Sequence, residues 1–228
     1  MSLWHQVKIL ARHYLRLEWS ERERLITPIL ISITMLLMFS FALGEFGQAL
    51  KYRLFIGECM VTLLFALQIS LARAFEFDQQ DKVLDLMRSY PIRPSAIFLA
   101  KFLVCYATCM MIAIPGIFFA GMFTQSLTPE HFGVFVGAVS LGLIGLVALG
   151  VLLTALTLVA SSRQVLYPIL FFPLTTPVLL SICQFVLMNQ SLDFSSKSMN
   201  WLLLLGIFNV IYFSLSLGFF QELFETEE

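Results

Sequence analysis

Charged residues are scarce in this chain, and so are histidine, cysteine and tryptophan. Of its 228 residues 13% are charged and the net charge is −1, so no basic face is available to bind the phosphates of a nucleic acid. No G-x-x-x-x-G-K-[ST] phosphate-binding loop occurs either. These absences exclude a nucleic-acid-binding protein and a P-loop ATPase.

The cysteines do not form a metal site. All four fall within apolar runs, at Cys59, Cys105, Cys109 and Cys183. Cys105 and Cys109 share a helical face at spacing i, i+4, but no further ligand set accompanies them. Because buried thiols behave as small apolar side chains, we predict a space-filling role for all four and no bound metal.

Long apolar runs occupy most of the chain. It is 59% hydrophobic, contains 23 phenylalanines and has a mean hydropathy of +0.87, whereas soluble domains are roughly 45–50% apolar. Lipid is the expected solvent, and helices satisfy their own backbone hydrogen bonds there. We predict an all-α integral membrane protein, a single transmembrane domain over residues 1–228 with spans at 25–43, 54–72, 96–123, 132–160, 165–188 and 201–220.

Lysine and arginine are distributed unevenly over the predicted loops. The segment before the first span, the second loop and the fourth loop hold 11 of the 14, and the opposite side has only Lys51, Arg53 and Lys197. The positive-inside rule therefore predicts that the richer side, with both termini, is cytoplasmic.

The segment before the first span, residues 1–24, is amphipathic. Its apolar residues recur at helical spacing over three turns, at Leu3, Val7, Leu10, Ala11 and Tyr14. We predict an interfacial helix that lies on the cytoplasmic leaflet. The alternative is a charged leader that only fixes orientation, and the continuous apolar face favours the helix.

A second amphipathic segment lies in the second loop, at residues 78–90. Asp78 is a suitable helix cap, Pro91 ends the helix, and one face is apolar, at Val83, Leu84, Leu86, Met87 and Tyr90. A helix of about three turns is marginal alone, so it needs either lipid headgroups or a protein to lie against. Its mixture of acids and bases favours docking to a cytoplasmic protein.

Two segments resemble one known family, the haem exporter B subunit (CcmB), which has the ABC-2 type permease fold. The first is similar to that family's pattern D-G-x-L-E-x-L-x-x-x-P…A-K at Asp81, Leu84, Asp85, Met87, Pro91 and Ala100-Lys101. The second, FFPLTTPVLL at 171–180, is similar to L-P-L-x-x-P-L-L. The glycine-rich fourth span also fits. Lys82 replaces the family's usual glycine and Asp85 its glutamate.

The resemblance implies a permease subunit, not an enzyme, in the bacterial inner membrane. Its partners would be a separate ABC ATPase that binds ATP, a second copy of the chain, a Trp-rich haem-handling membrane protein and a periplasmic haem chaperone. ATP hydrolysis would drive either haem transport or release of the loaded chaperone in c-type cytochrome biogenesis. The resemblance and the docking interpretation together place the ATPase contact at Asp81, Lys82, Leu84, Asp85, Met87, Arg88 and Pro91. An ABC-2 permease for a drug, lipid or glycan and a non-transporting scaffold are the alternatives.

Polar residues within or beside the spans are further candidates. Glu58, and His131 in the periplasmic third loop, are the candidate ligand contacts. Lys101 is predicted to reach the cytoplasmic surface as an anchor, and Thr175-Thr176 to hydrogen-bond between helices.

Proline and glycine indicate which spans bend or pack closely. We predict kinks or gates at Pro115, Pro173, Pro177, Gly142, Gly145 and Gly150. Gly133 and Gly137 form a small-xxx-small pair, for which we predict a close helix contact.

Overall fold

The computed structural model describes residues 3–43, 48–76, 78, 93–124, 129–157, 163–189 and 196–225. Seven α-helices lie within these ranges: α1 Leu3–Ser20, α2 Glu23–Leu43, α3 Gln48–Ala72, α4 Pro94–Thr124, α5 Pro129–Leu156, α6 Arg163–Met188 and α7 Ser196–Glu225. All regular structure in the described part of the chain is helical, which confirms the predicted class.

Six of these helices are long and apolar enough to cross a membrane. Their apolar stretches are Glu23–Ala42, Leu50–Ala72, Pro94–Met122, His131–Leu156, Val165–Met188 and Ser196–Glu222. The predicted number of spans is therefore confirmed. α3 and α7 begin before the predicted apolar runs, because the helices continue over polar residues such as Lys51 and Lys197.

α5 is the central helix. Within an apolar 18-residue part of α5, 72% of the residues are buried, against 17% for the corresponding part of α2 and 22% for that of α7. It packs against α3, α4, α6 and α7. A helix that is apolar on every side is stable where neighbours cover it, and α5 meets that condition.

Three glycines allow those neighbours to approach α5. Gly142, Gly145 and Gly150 face Ile182 of α6, Asn209 of α7 and Leu71 of α3. A Cβ at Gly145 would lie 2.5 Å from Asn209 Oδ1, and one at Gly150 would lie 2.6 Å from Leu71 Cδ1. These positions are packing contacts, and their role in gating stays a prediction.

The other glycine pair behaves differently. A Cβ at Gly133 or Gly137 would have no neighbouring atom within 4 Å. The close contact predicted for this pair is therefore wrong within the described chain. Small-residue spacing shows only that an approach is sterically allowed, and none of the described helices approaches α5 at this pair.

α1 lies against α4. Val7 and Tyr14 on its apolar face are buried, whereas Lys8 and Arg12 are exposed. A helix is thus present in the predicted amphipathic segment. Its position at a membrane surface stays a prediction.

Candidate functional site: an ionic junction beside residues 79–92

Buried charges concentrate at the end of the bundle where α1, α2, α3 and α4 meet. Six residues form what we call the ionic junction: Tyr14, Glu18, Arg24, Glu76, Asp78 and Lys101. In sequence, its residue Asp78 comes directly before residues 79–92, which carry most of the predicted docking helix. The residues Asp81, Lys82, Leu84, Asp85, Met87, Arg88 and Pro91 themselves lie outside the described residues.

Lys101 and Asp78 form a buried ion pair. Lys101 Nζ lies 2.6 Å from Asp78 Oδ2, and the two side chains are only 4% and 2% exposed. The ammonium also donates to the carbonyl of Ala74 at 2.8 Å. Lys101 was predicted to reach the surface, and that prediction is wrong, because an acid from the chain after α3 meets it inside the protein.

Aromatic rings complete the surroundings of Lys101. Its Nζ lies 3.6 Å from the centroid of the Tyr14 ring and 4.9 Å from that of Phe75. A cation over aromatic faces gains electrostatic stabilisation, more so where water is excluded. The ammonium group of Lys101 in α4 is therefore bound by α1 and by the segment that follows α3.

Tyr14 also interacts with Asp78. Burial, and next the charge and hydrogen bond of Asp78, raise the pKa of Tyr14 far above its ordinary value near 10. The hydroxyl is therefore protonated at neutral pH and donates to the carboxylate. Asp78 thus receives one partner from α4 and one from α1, which reduces the free-energy cost of burying its charge.

Arg24, at the start of α2, links α1 to the segment after α3. Its Nη1 lies 3.1 Å from Glu18 Oε2 and its Nη2 lies 3.0 Å from Glu76 Oε2. Nη2 also donates to the carbonyl of Arg73. The Glu76 side chain is 46% exposed, so solvent screens its pair with Arg24 and the pair adds little to the free energy of folding. The main effect of the buried guanidinium is to hold α1 and the segment after α3 in position.

A cluster of phenylalanines packs next to the ionic junction. Phe75 stacks on Phe220 with ring centroids 6.2 Å apart, and Phe98 lies 5.6 Å from Phe220. All three rings are fully buried. The segment after α3 is thereby packed against α4 and α7 as well as bound by the ionic junction.

This arrangement has a mechanical consequence. Residues 73–78 lead directly into the predicted docking helix, and their carbonyls and acids bind Arg24 and Lys101. A displacement of that segment would move α1, α2 and α4 with it or break these contacts. The sequence pattern does not reveal these contacts, because it places Tyr14 on an apolar face and predicts Asp78 as a helix cap.

Asn209 of α7 is a second feature that the sequence analysis missed. Its Oδ1 accepts from the Gly145 N–H at 3.0 Å and its Nδ2 donates to the Leu141 carbonyl at 2.8 Å. Those two backbone groups are separated by four residues, the spacing of one α-helical hydrogen bond. One side-chain amide of α7 therefore bonds to an N–H and a C=O of α5 that are spaced to bond to each other within the helix. A polar residue inside the last apolar run was the available signal.

The predicted kink positions lie inside continuous helices. Pro115 is within α4, and Pro173 and Pro177 are within α6. Between the latter two, the Leu174 carbonyl accepts a hydrogen bond from Tyr212 OH at 2.7 Å. A neighbouring helix does bond to this segment, and the kinking or gating role stays a prediction.

The two threonines of the same segment bond within their own helix. Thr175 and Thr176 both donate to the Phe172 carbonyl, at 3.1 and 2.9 Å. The predicted bonds between helices are therefore wrong. Threonine hydroxyls reach the carbonyls three and four residues earlier without any neighbour.

The two candidate ligand contacts, Glu58 in α3 and His131 in α5, lie at different positions along the axis of α3. Glu58 is 8% exposed. His131 lies in the first turn of α5 and not in a loop, and its ring contacts that of Tyr52 with centroids 6.2 Å apart. Tyr52 and Glu58 are six residues apart, or about 9 Å of helix. Within the described residues no three His, Cys, Asp or Glu are grouped as a metal would require.

Comparison with known proteins identifies the family. The profile of the family described as CcmB protein matches residues 5–221, which include α2 to α6, nearly all of α7 and most of α1. No individual curated protein matches the chain. Both resembling segments lie within the matched range, so the chain is a multi-pass membrane protein that belongs to the CcmB family.

Proposed function

We propose that this chain is the permease subunit that receives the motion of a separate ABC ATPase and passes it to the membrane spans through the ionic junction. Membership of the CcmB family indicates a permease of a haem-exporting ABC transporter in cytochrome c maturation. The observation that carries the coupling proposal is the buried Lys101–Asp78 pair next to the docking segment.

The docking helix would be the contact with the ATPase. If residues 78–90 form the predicted helix, Leu84 and Met87 would contribute its apolar ridge, and Asp81, Asp85 and Arg88 would supply charge beside it. ATP binding closes the ATPase pair and displaces the docking helices. Because Asp78 is bound to α4 and Tyr14, the displacement reaches the third span and α1 together.

The cargo side of the proposal follows the family. Haem, or a chaperone loaded with haem, is the species handled, and the complex contains a second copy of the chain, a Trp-rich haem protein and a periplasmic haem chaperone. Both termini face the cytoplasm of a bacterial inner membrane. Glu58 and His131, on the side opposite the ionic junction, are the proposed ligand contacts.

A double substitution tests the docking proposal. Leu84→Ala with Asp85→Lys removes the ridge and reverses one charge outside the described bundle. We expect normal membrane insertion, loss of the ATPase from the purified complex and loss of c-type cytochromes. Lys197→Glu, a charge reversal at the start of α7, is the matched control and should leave both readouts unchanged.

The same purification separates the alternatives. Recovery of an ATPase with a haem protein supports the proposal, whereas an ATPase without any haem component indicates a permease for another substrate. If the double variant keeps the ATPase and the cytochromes, residues 78–91 are not the docking site.

A further inference from the structure

An apolar groove runs between α1 and α4. Trp4, Val7 and Ala11 form one wall, and Leu103, Val104 and Ala107 form the other. Its volume is about 550 Å³, which is within the range of sites for small molecules. Trp4 is 75% exposed and Leu103 is 45% exposed, so the groove is open along its length.

Cations line the same groove. Lys8 and Arg12 project from the α1 wall. The adjoining face of α1 adds a third cation, Arg16, and also carries the imidazoles of His5 and His13. Residues 3–17 contain no acid. An apolar cleft with a purely basic margin is complementary to a molecule that has a hydrocarbon part and an anionic head.

The α4 wall belongs to a part of the helix that is apolar enough to cross a membrane. Leu103, Val104 and Ala107 fall inside the apolar stretch Pro94–Met122, nine or more residues from the start of α4. That distance corresponds to about 14 Å or more of helix. The groove is therefore open to the acyl chains of the leaflet next to α1, and the basic residues lie beside it.

We propose that this groove binds one anionic phospholipid of the phosphatidylglycerol type. An acyl chain lies on Leu103, Val104 and Ala107, and the phosphate binds Lys8 and Arg12. Basic pockets beside membrane helices commonly select anionic headgroups. The proposal requires only that α2 to α7 span a membrane, and it is independent of haem and of the ATPase.

Trp4 reports occupancy of the groove directly. Trp19→Phe with Trp201→Phe leaves Trp4 as the only tryptophan. The purified full-length protein in detergent is titrated with phosphatidylglycerol brominated on its acyl chains, and separately with phosphatidylcholine bearing the same chains. We expect saturable quenching of Trp4 with a preference of at least about fivefold for phosphatidylglycerol.

Two variants and one control test whether the lipid that quenches Trp4 binds in this groove. Lys8→Gln with Arg12→Gln should reduce the preference to about one. Lys51→Gln with Arg53→Gln removes the same charge from α3 and should leave the preference intact. Ala107→Phe fills the α4 wall and should weaken quenching by both lipids.

Three results would overturn the proposal. Equal quenching of the starting protein by both lipids would show no headgroup selection, and an unchanged preference after loss of Lys8 and Arg12 would place the site elsewhere. Disulfide-linked dimers through Ala107→Cys in membranes, above the level formed by the native cysteines, would make the groove an interface between copies.

Discussion

The Lys101–Asp78 pair of the ionic junction and the centre of α5 are both buried, and the junction and the centre of α5 are stabilised in opposite ways. The junction is formed by long charged side chains from four parts of the chain, such as Arg24 and Lys101. The centre of α5 is formed by glycines and by side chains that bond to its backbone, such as Asn209. A close-packed centre leaves no space for rearrangement, whereas ion pairs on flexible side chains can exchange partners. We therefore expect the junction to move during transport and the centre of α5 to stay fixed.

The largest effect is expected from breaking the buried pair. Lys101→Met leaves the Asp78 carboxylate, which is 2% exposed, without a cationic partner, which should lower the free energy of unfolding by about 3–5 kcal/mol. Lys101→Met with Asp78→Leu should recover most of that loss, because neither charge of the pair is then present. Thermal unfolding of purified protein measures both. A double variant as unstable as the single one would contradict this account of the pair.

A smaller loss is expected where α5 is overpacked. Gly145→Val places methyl groups against Asn209, whose backbone Cα already lies 3.2 Å from a Cβ at residue 145, and should cost about 1–3 kcal/mol. Gly137→Val is the matched control, since a Cβ there meets nothing within 4 Å. Equal destabilisation of the two variants would mean that Gly145 is not a packing contact.

The smallest effect is expected from Asn209→Ala. Removal of the amide leaves the Gly145 N–H and the Leu141 carbonyl at the spacing of an ordinary helical bond, so they can pair with each other. We expect a loss of about 0.6 kcal/mol, typical of a side-chain hydrogen bond inside a membrane. Hydrogen exchange at Gly145 should stay slow in this variant. Fast exchange there would show that the amide is required.

The apolar runs predicted the number of spans, because length and hydropathy alone decide whether a helix can cross lipid. The helical start at Pro129 was also readable, since proline favours the first helical position, and it would have placed His131 in α5. The burial of Lys101 was not readable. It depends on Asp78, 23 residues earlier in sequence, returning to the third span, and no local pattern specifies that contact.

The central claim is that the Lys101–Asp78 pair carries motion and does more than stabilise the fold. The most direct measurement compares ATP hydrolysis with c-type cytochrome yield, both per assembled complex, in the variant that combines Lys101→Met with Asp78→Leu. The account predicts that ATP turnover stays within about twofold of the unmodified complex while the yield falls at least about tenfold, a loss of at least about 1.4 kcal/mol in coupling. An unchanged yield per assembled complex would show that the pair is structural only.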